Sequence, residues 1–283
     1  MDDIQASMKD LTALLGMSAQ ALRLYEKSGS VRRYSVGENG YRDFRFEGLT
    51  QMMGLRTLVK LGIPLKEAAQ LQREGTLASY EELVTQRARQ VRDEARHLDA
   101  LSDLLGQIER EARQASDAPD VFCMGEMPGL WRLDLSGGGG RMADDAASRE
   151  SLRAWADNLP FVFLCPIMRG EDLTPEGVPR LGLAIEDRFA WLIDDKDSPR
   201  VSFIESCRCV TGIHRIERVD TMRETHGLLG AYYSVVRPAL EYMEAHHLRL
   251  DGDVVTRLLL SNVEDADGPA NDYWRLWLPV ATD

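Results

Sequence analysis

Ser18-Ala19-Gln20-Ala21-Leu22-Arg23-Leu24-Tyr25-Glu26-Lys27-Ser28-Gly29 is the stretch whose reading decides the fold. Ser18 is a good helix N-cap, helix formers follow it, and Gly29 closes the run. Upstream, Met8, Leu11, Leu14 and Leu15 fall on one helical face, and Gly16-Met17 interrupts that face. Helix, glycine turn and helix over about 20 residues is the pattern of a helix-turn-helix. Residues 31–46 favour strand at Val31, Tyr34, Val36, Tyr41, Phe44 and Phe46, with a turn at Gly37-Glu38-Asn39-Gly40. A basic, aromatic hairpin after a helix-turn-helix reads as a wing. Residues 47–73 return to helical spacing, and Leu61-Gly62-Ile63-Pro64-Leu65 splits them into two helices.

Charge agrees with this reading once the chain is divided. The 283 residues carry a net charge of −12, which taken whole argues against a nucleic-acid partner. Residues 1–75 hold 11 basic and 9 acidic side chains, and residues 18–60 hold 8 and 4. A small basic module is therefore attached to an acidic body, an asymmetry that points to an anionic polymer at one end. No apolar run approaches a membrane span, and the start MDDIQASMKD lacks the apolar core of a signal peptide. Four cysteines do not make a disulfide scaffold, so a cytoplasmic location is expected.

Residues 79–113 contain no proline, and Gly106 is their one glycine. Val84, Ala88, Val91, Ala95, Leu98, Leu101, Leu105, Ile108 and Ala112 step by threes and fours among Arg, Glu, Gln and Asp. One narrow apolar stripe on a helix this long needs a partner, which predicts a dimeric coiled coil; packing on its own chain is the alternative. The expected layout is a winged helix-turn-helix over 1–75, a dimerisation helix over 76–115, a linker over 116–120 and an effector domain over 121–283. In that last part strand, helix, strand and strand occur twice. The strands are expected at 121–135, 161–168, 181–193, 206–216, 254–262 and 273–280, and the helices at 146–158 and 227–247. This describes an α+β fold with one sheet, two helices on a face and a cleft where the halves meet.

The 18–29 stretch, then Gly40-Tyr41-Arg42-Asp43-Phe44, then Leu61-Gly62-Ile63-Pro64-Leu65-Lys66-Glu67, resemble the MerR family. The resemblance covers roughly residues 5–113. It implies a winged-helix transcription regulator that dimerises through a long antiparallel helix. The two-fold repeat, with Leu258-Leu259-Leu260 and Leu278-Pro279-Val280, resembles the GyrI-like effector domain of BmrR-like, multidrug-sensing members. The chain departs from the pattern at three places. Leu24 stands where a second tyrosine is common, Arg32-Arg33 where a proline is common, and Arg275 where many GyrI-like domains carry a pocket glutamate.

The resemblance implies partners and site residues. The second helix would enter the major groove of double-stranded promoter DNA with Ser18, Gln20, Arg23 and Tyr25. Gln suits adenine, Arg suits guanine and Tyr suits phosphate. Arg32, Arg33, Tyr41, Arg42, Arg56 and Lys60 would hold the backbone, and Arg42 is open to a second role bracing the wing against Asp43 or Glu26. A homodimer would require an inverted-repeat operator. Family members sit on promoters whose spacer is too long for RNA polymerase, and the activated dimer distorts the DNA.

All five tryptophans lie beyond residue 120. Trp131, Phe163, Glu186, Trp191, Tyr232, Tyr233, Arg275 and Trp277 are the candidate ligand-binding set, suited to a small aromatic or hydrophobic effector. Arg275 either faces the cleft alone or pairs with Glu186. No cofactor, metal site or catalytic constellation emerges, and Ser136-Gly137-Gly138-Gly139-Gly140 lacks the Lys-Ser/Thr of a phosphate loop. Two alternatives stand beside the regulator: a GyrI-like small-molecule hydrolase fused to a DNA module, and a thiol or metal sensor using Cys207 and Cys209.

Overall fold

The structure, a computed structural model, describes residues 5–28, 34–36, 42–137, 145–217, 232–264 and 270–281. The chain divides into two compact units, residues 1–99 and residues 100–283.

The first unit opens with β1 (Gln5–Ser7), α1 (Met8–Leu15) and α2 (Ala19–Lys27). Ser18 caps α2, its hydroxyl accepting from the Ala21 amide at 3.1 Å, which satisfies one of the free N–H groups at the helix start. β2 (Tyr34–Val36) and β3 (Arg42–Arg45) pair antiparallel, with Tyr34 opposite Phe44, and β1 adds to the other edge of β3. Phe46, expected at the end of the wing, instead begins α3 (Phe46–Lys60), and α4 (Leu65–Glu74) follows. Leu11, Leu22 and Met52 form one small core, and Tyr25, Leu55, Leu58, Ile63, Ala68 and Ala69 form another. Gly62 ends α3 with φ +87°, and a Cβ there would lie 2.7 Å from the Arg87 guanidinium. That close approach lets Arg87 donate to the Leu61 carbonyl at 3.0 Å, covering one of the exposed carbonyls at the end of α3.

α5 (Leu77–Asp117) is 41 residues long, about 60 Å by helical rise. No helix among the described residues is long and apolar enough to cross a membrane. Within its C-terminal part, Ala100, Leu104, Glu111 and Ala115 are buried. On another face Val91, Leu98, Leu105 and Ile108 are exposed, Leu98 at 63%.

The second unit holds two sheets, which corrects the expected single sheet. β4 (Phe122–Met127) and β5 (Leu130–Asp134), read from sequence as one strand, are separated at Pro128-Gly129 and enter different sheets. Next come α6 (Ala146–Ala156), β6 (Val162–Leu164), β7 (Ile167–Met168), β8 (Gly182–Glu186), β9 (Val201–Ile204) and β10 (Cys207–Glu217). A helix, here α7 (Tyr232–Ala245), leads to β11 (Val254–Glu264) and β12 (Ala270–Pro279). The strand orders are β6-β8-β5-β9 and β4-β10-β12-β11-β7. The repeat is visible in them: β5-β8-β6 has the same connectivity as β10-β12-β11, each with its helix after the first strand. The strands ahead of each repeat are exchanged, β4 pairing with β10 and β9 with β5.

Among the described residues, α6 and the C-terminal part of α5 pack on the four-stranded sheet and α7 packs on the five-stranded one. α6 places Trp155 against Leu133, Val162 and Ile185, and α7 places Tyr232, Val236 and Ala239 against Trp274, Leu276 and Leu278. Side chains alternate along a strand, so the opposite faces of the two sheets meet. There Leu130, Phe163, Ala184, Val255 and Trp277 share one core. The run Asp187–Leu192, expected as a continuation of β8, is a 3-10 helix; its apolar residues Phe189 and Ala190 are buried without strand pairing.

Candidate DNA-binding face and effector cleft

On α2, Gln20, Arg23, Leu24 and Lys27 are exposed, and Leu22 and Tyr25 are buried. The exposed four fall at i, i+3, i+4 and i+7, one continuous stripe two turns long. Leu24, 56% exposed, puts an apolar surface amid the polar stripe. Tyr25 is 4% exposed and packs with Leu55 and Leu58, so its ring belongs to the core beneath the helix. Its hydroxyl has no hydrogen-bond partner among the described residues. Lys27 was missed from sequence, although its spacing four residues after Arg23 places it on the same face. Arg73 of α4 donates to the Ser28 carbonyl, fixing the end of α2. Arg56 is half-buried on α3 and Lys60 exposed at its end. Arg32, Arg33 and Tyr41 lie outside the described residues, as does the turn Gly37–Gly40; Arg42 is placed on β3 by its backbone.

The eight candidate effector residues separate into three groups. Trp131 and Trp191 join the α6 side of the four-stranded sheet. The Trp131 indole donates to Asp187 at 2.8 Å, and its ring lies 5.1 Å from that of Phe203. Tyr232 and Tyr233 join the α7 side of the five-stranded sheet. Tyr232 donates to the Pro166 carbonyl at 3.0 Å, and burial pushes its pKa far up. Phe163, Glu186, Arg275 and Trp277 lie on the strand faces that meet between the sheets.

At one end of that inter-sheet space is a buried cluster of charges. Glu186 accepts from Arg188 at 2.8 Å and from Gln107 of α5 at 2.8 Å. Arg275 donates to Gln114 at 2.8 Å and lies 3.6 Å from Glu111, both on α5. Burial pulls the Arg275 pKa down, and Glu111 opposes that shift. Between them sits Arg257, 3.7 Å from Glu111, 4.0 Å from Glu186 and 4.6 Å above the Phe163 ring. Glu186 and Arg275 thus each have their own partners and are joined through Arg257. Sequence reasoning missed Arg257 and Glu111, because each reads as the polar face of its element.

At the other end the sheets part around a cleft of about 540 Å³, with Arg132, Asp134, Arg180, Ile204, Asp251 and Pro279 among its lining. None of the eight candidates lines it. Arg132 is buried, donating to the Arg180 carbonyl at 2.7 Å; a Cβ at Gly182 would lie 2.5 Å from its guanidinium, so glycine makes room for it. Hydrogen bonds from Ser136 and Arg180, with the charge of Arg132, hold the Asp134 carboxyl below its usual range against the upward effect of burial.

Three of the four thiols are held in the protonated, less reactive form. Burial pushes Cys165 up to about 11 and Cys209 up to about 12, and raises Cys207 as well. Among the described residues, no group of three or more His, Cys, Asp or Glu side chains is placed to hold a metal ion.

Residues 6–75 match the family model described as MerR HTH family regulatory protein. The curated HTH-type transcriptional regulator CueR of Escherichia coli O6:H1 is 31% identical over 65 residues, covering 23% of this chain and 48% of that protein. The chain therefore spans about half the length of the curated relatives it matches. A cryo-EM structure of the EcmrR-DNA complex in EcmrR-RPo is 15% identical with a TM-score of 0.33, covering 97% of this chain and 99% of that one. HiNmlR, a MerR family regulator lacking the sensor domain and bound to promoter DNA, is 22% identical with a TM-score of 0.33, covering 40% of this chain and 89% of that one. Over residues 6–75 the chain carries a MerR-type helix-turn-helix module.

Proposed function

We propose that the protein is a ligand-responsive transcription regulator that binds promoter DNA through α2 and its wing and acts on RNA polymerase there. The observation that carries the reading is the stripe of Gln20, Arg23, Leu24 and Lys27, exposed on a helix whose other face is packed. Such a helix is free to enter a major groove. The family match over residues 6–75 and the curated relative's description as a transcriptional regulator support it.

Two further parts belong to the reading. The exposed apolar face of α5, Val91, Leu98, Leu105 and Ile108, is to be covered by the same face of a second copy, making a homodimer for an inverted-repeat operator. The second unit, with its doubled β-α-β-β plan, acts as a GyrI-like effector domain of the BmrR-like type. It takes a small aromatic or hydrophobic compound between its sheets. Ligand binding then shifts the dimer toward a state that distorts the promoter and activates transcription. Burial raises the pKa of both Cys207 and Cys209, which speaks against a sensor built on them.

Fluorescence anisotropy on promoter DNA across a salt series tests the reading. Wild type should bind with a steep salt slope, and Arg23→Ala should lose about 1–3 kcal/mol of affinity if it reads a base. Equal binding of wild type and Arg23→Ala at every salt concentration would contradict it.

A further inference from the structure

We infer that the cluster around Arg257 and Arg275 is an anion site, held shut by Glu111 of the protein itself, and that its ligand is a carboxylate on an apolar or aromatic body. The inference rests on the regulator reading for its consequence, but the site stands on its own geometry. Arg257 is 6% exposed, and its Nε and Nη1 atoms have no hydrogen-bond partner among the described residues. Glu111 Oε2 is buried and equally without one. The Glu111 carboxylate stands 3.7 Å from Arg257 and 3.6 Å from Arg275, inside ion-pair range and outside hydrogen-bond range for both.

Buried guanidinium donors left unmade are costly, and a carboxylate binds such a fork best with two short parallel hydrogen bonds. Glu111 neutralises the arginines without satisfying them, because its position is set by the α5 backbone. A free carboxylate has no such tether and can close the distance. The surroundings select the rest of the ligand: the Phe163 ring lies 4.6 Å beneath the Arg257 guanidinium, and Phe163 and Trp277 belong to one buried apolar cluster. An aromatic acid fits this combination, and an organic cation is disfavoured because three guanidiniums, Arg188, Arg257 and Arg275, face two carboxylates, Glu111 and Glu186.

Occupancy carries a structural consequence. Gln107, Glu111 and Gln114 lie at i, i+4 and i+7 on α5, and all three engage this cluster. A ligand carboxylate that displaces Glu111 loosens the hold on the C-terminal end of α5. α5 begins at Leu77, close after the helix-turn-helix module, so one continuous helix joins the two parts of the chain.

The test is calorimetric titration of the full-length protein with 2-naphthoate, 2-naphthamide and 2-naphthylmethylammonium. The wild type should bind 2-naphthoate at least tenfold tighter than the other two. Glu111→Gln removes the internal competitor while keeping its shape. It should bind 2-naphthoate at least tenfold tighter than wild type does, and should melt lower than wild type until 2-naphthoate restores it. Arg257→Gln should erase the preference; if that variant does not fold, Glu111→Gln decides alone. Equal binding of the three probes, no binding, preference for the ammonium, or an unchanged 2-naphthoate affinity in Glu111→Gln would each overturn the inference. Promoter binding, measured in parallel, separates the two proposals. DNA binding without carboxylate preference overturns this site and spares the regulator. Carboxylate binding without DNA binding does the reverse.

Discussion

Gln107 of α5 reaches Glu186 of β8 across 2.8 Å and so ties the long helix to the four-stranded sheet by a side chain that is only half-buried. The same side chain accepts from Arg188, which itself pairs with Glu186. A neutral amide thus bridges a carboxylate and a guanidinium at the base of the helix. Here a helix expected to serve dimerisation also belongs to the core of the second unit, where Ala100 and Leu104 pack with Leu133 and Trp155.

Trp155 of α6 is fully buried against the four-stranded sheet, and its indole donates to Asp195 at 2.6 Å. Trp155→Ala removes that packing and leaves Asp195 without its donor. Urea denaturation should show a loss of about 3–5 kcal/mol. A loss below 1 kcal/mol would mean the four-stranded sheet does not depend on this contact.

Tyr25 and Arg23, two residues apart on α2, should behave in opposite ways. Tyr25 is buried with a hydroxyl that has no partner among the described residues, so Tyr25→Phe should leave stability and promoter affinity unchanged or slightly raised. Arg23 is exposed on the polar stripe, so Arg23→Ala should weaken promoter binding about tenfold or more with an unaltered melting temperature. A large affinity loss in Tyr25→Phe would place that hydroxyl on the DNA instead.

Leu98→Asp puts a charge into the exposed apolar face of α5, where Leu98 is 63% exposed in the single chain. If a second copy covers this face, the unpaired charge costs several kcal/mol and the dimer weakens by orders of magnitude. Light scattering at micromolar protein should then show the mass of one chain for the variant and two for the wild type. The same mass for both proteins would remove this face from the dimer.

Alkylation by iodoacetamide at pH 8 should mark the exposed Cys123 and spare Cys165 and Cys209. Burial raises the last two to about 11 and about 12, so almost no thiolate is present to react. Mass spectrometry of the native and urea-unfolded protein reads the difference. Fast native labelling of Cys209 would reopen the thiol-sensing alternative.

Local signals made much of this fold legible. Ser18 as a cap, the Gly62-Ile63-Pro64 break and the unbroken apolar stepping after residue 79 are short-range instructions, and α2, α3, α4 and α5 follow them. The exchange of β4 and β9 between sheets was not legible, because strand pairing is settled by contacts far apart in sequence. The run Phe189-Ala190-Trp191-Leu192-Ile193 reads like a buried strand, and a short apolar stretch alone does not separate strand from a compact turn. In the second unit, Trp131, Trp191, Tyr232 and Tyr233, ligand candidates by their aromatic character, pack on the helix-covered sides of the sheets. The charges that meet between the sheets come from α5, β8, β11 and β12, and no spacing rule joins Glu111 to Arg257.

Nuclease footprinting of the full-length protein on the DNA upstream of its own gene tests the central claim most directly. The account predicts one protected region with two-fold symmetric halves, lost in Arg23→Ala, and with altered cleavage at its centre when the effector is bound. Uniform, sequence-independent protection, or none at protein concentrations that saturate nonspecific DNA, would contradict it.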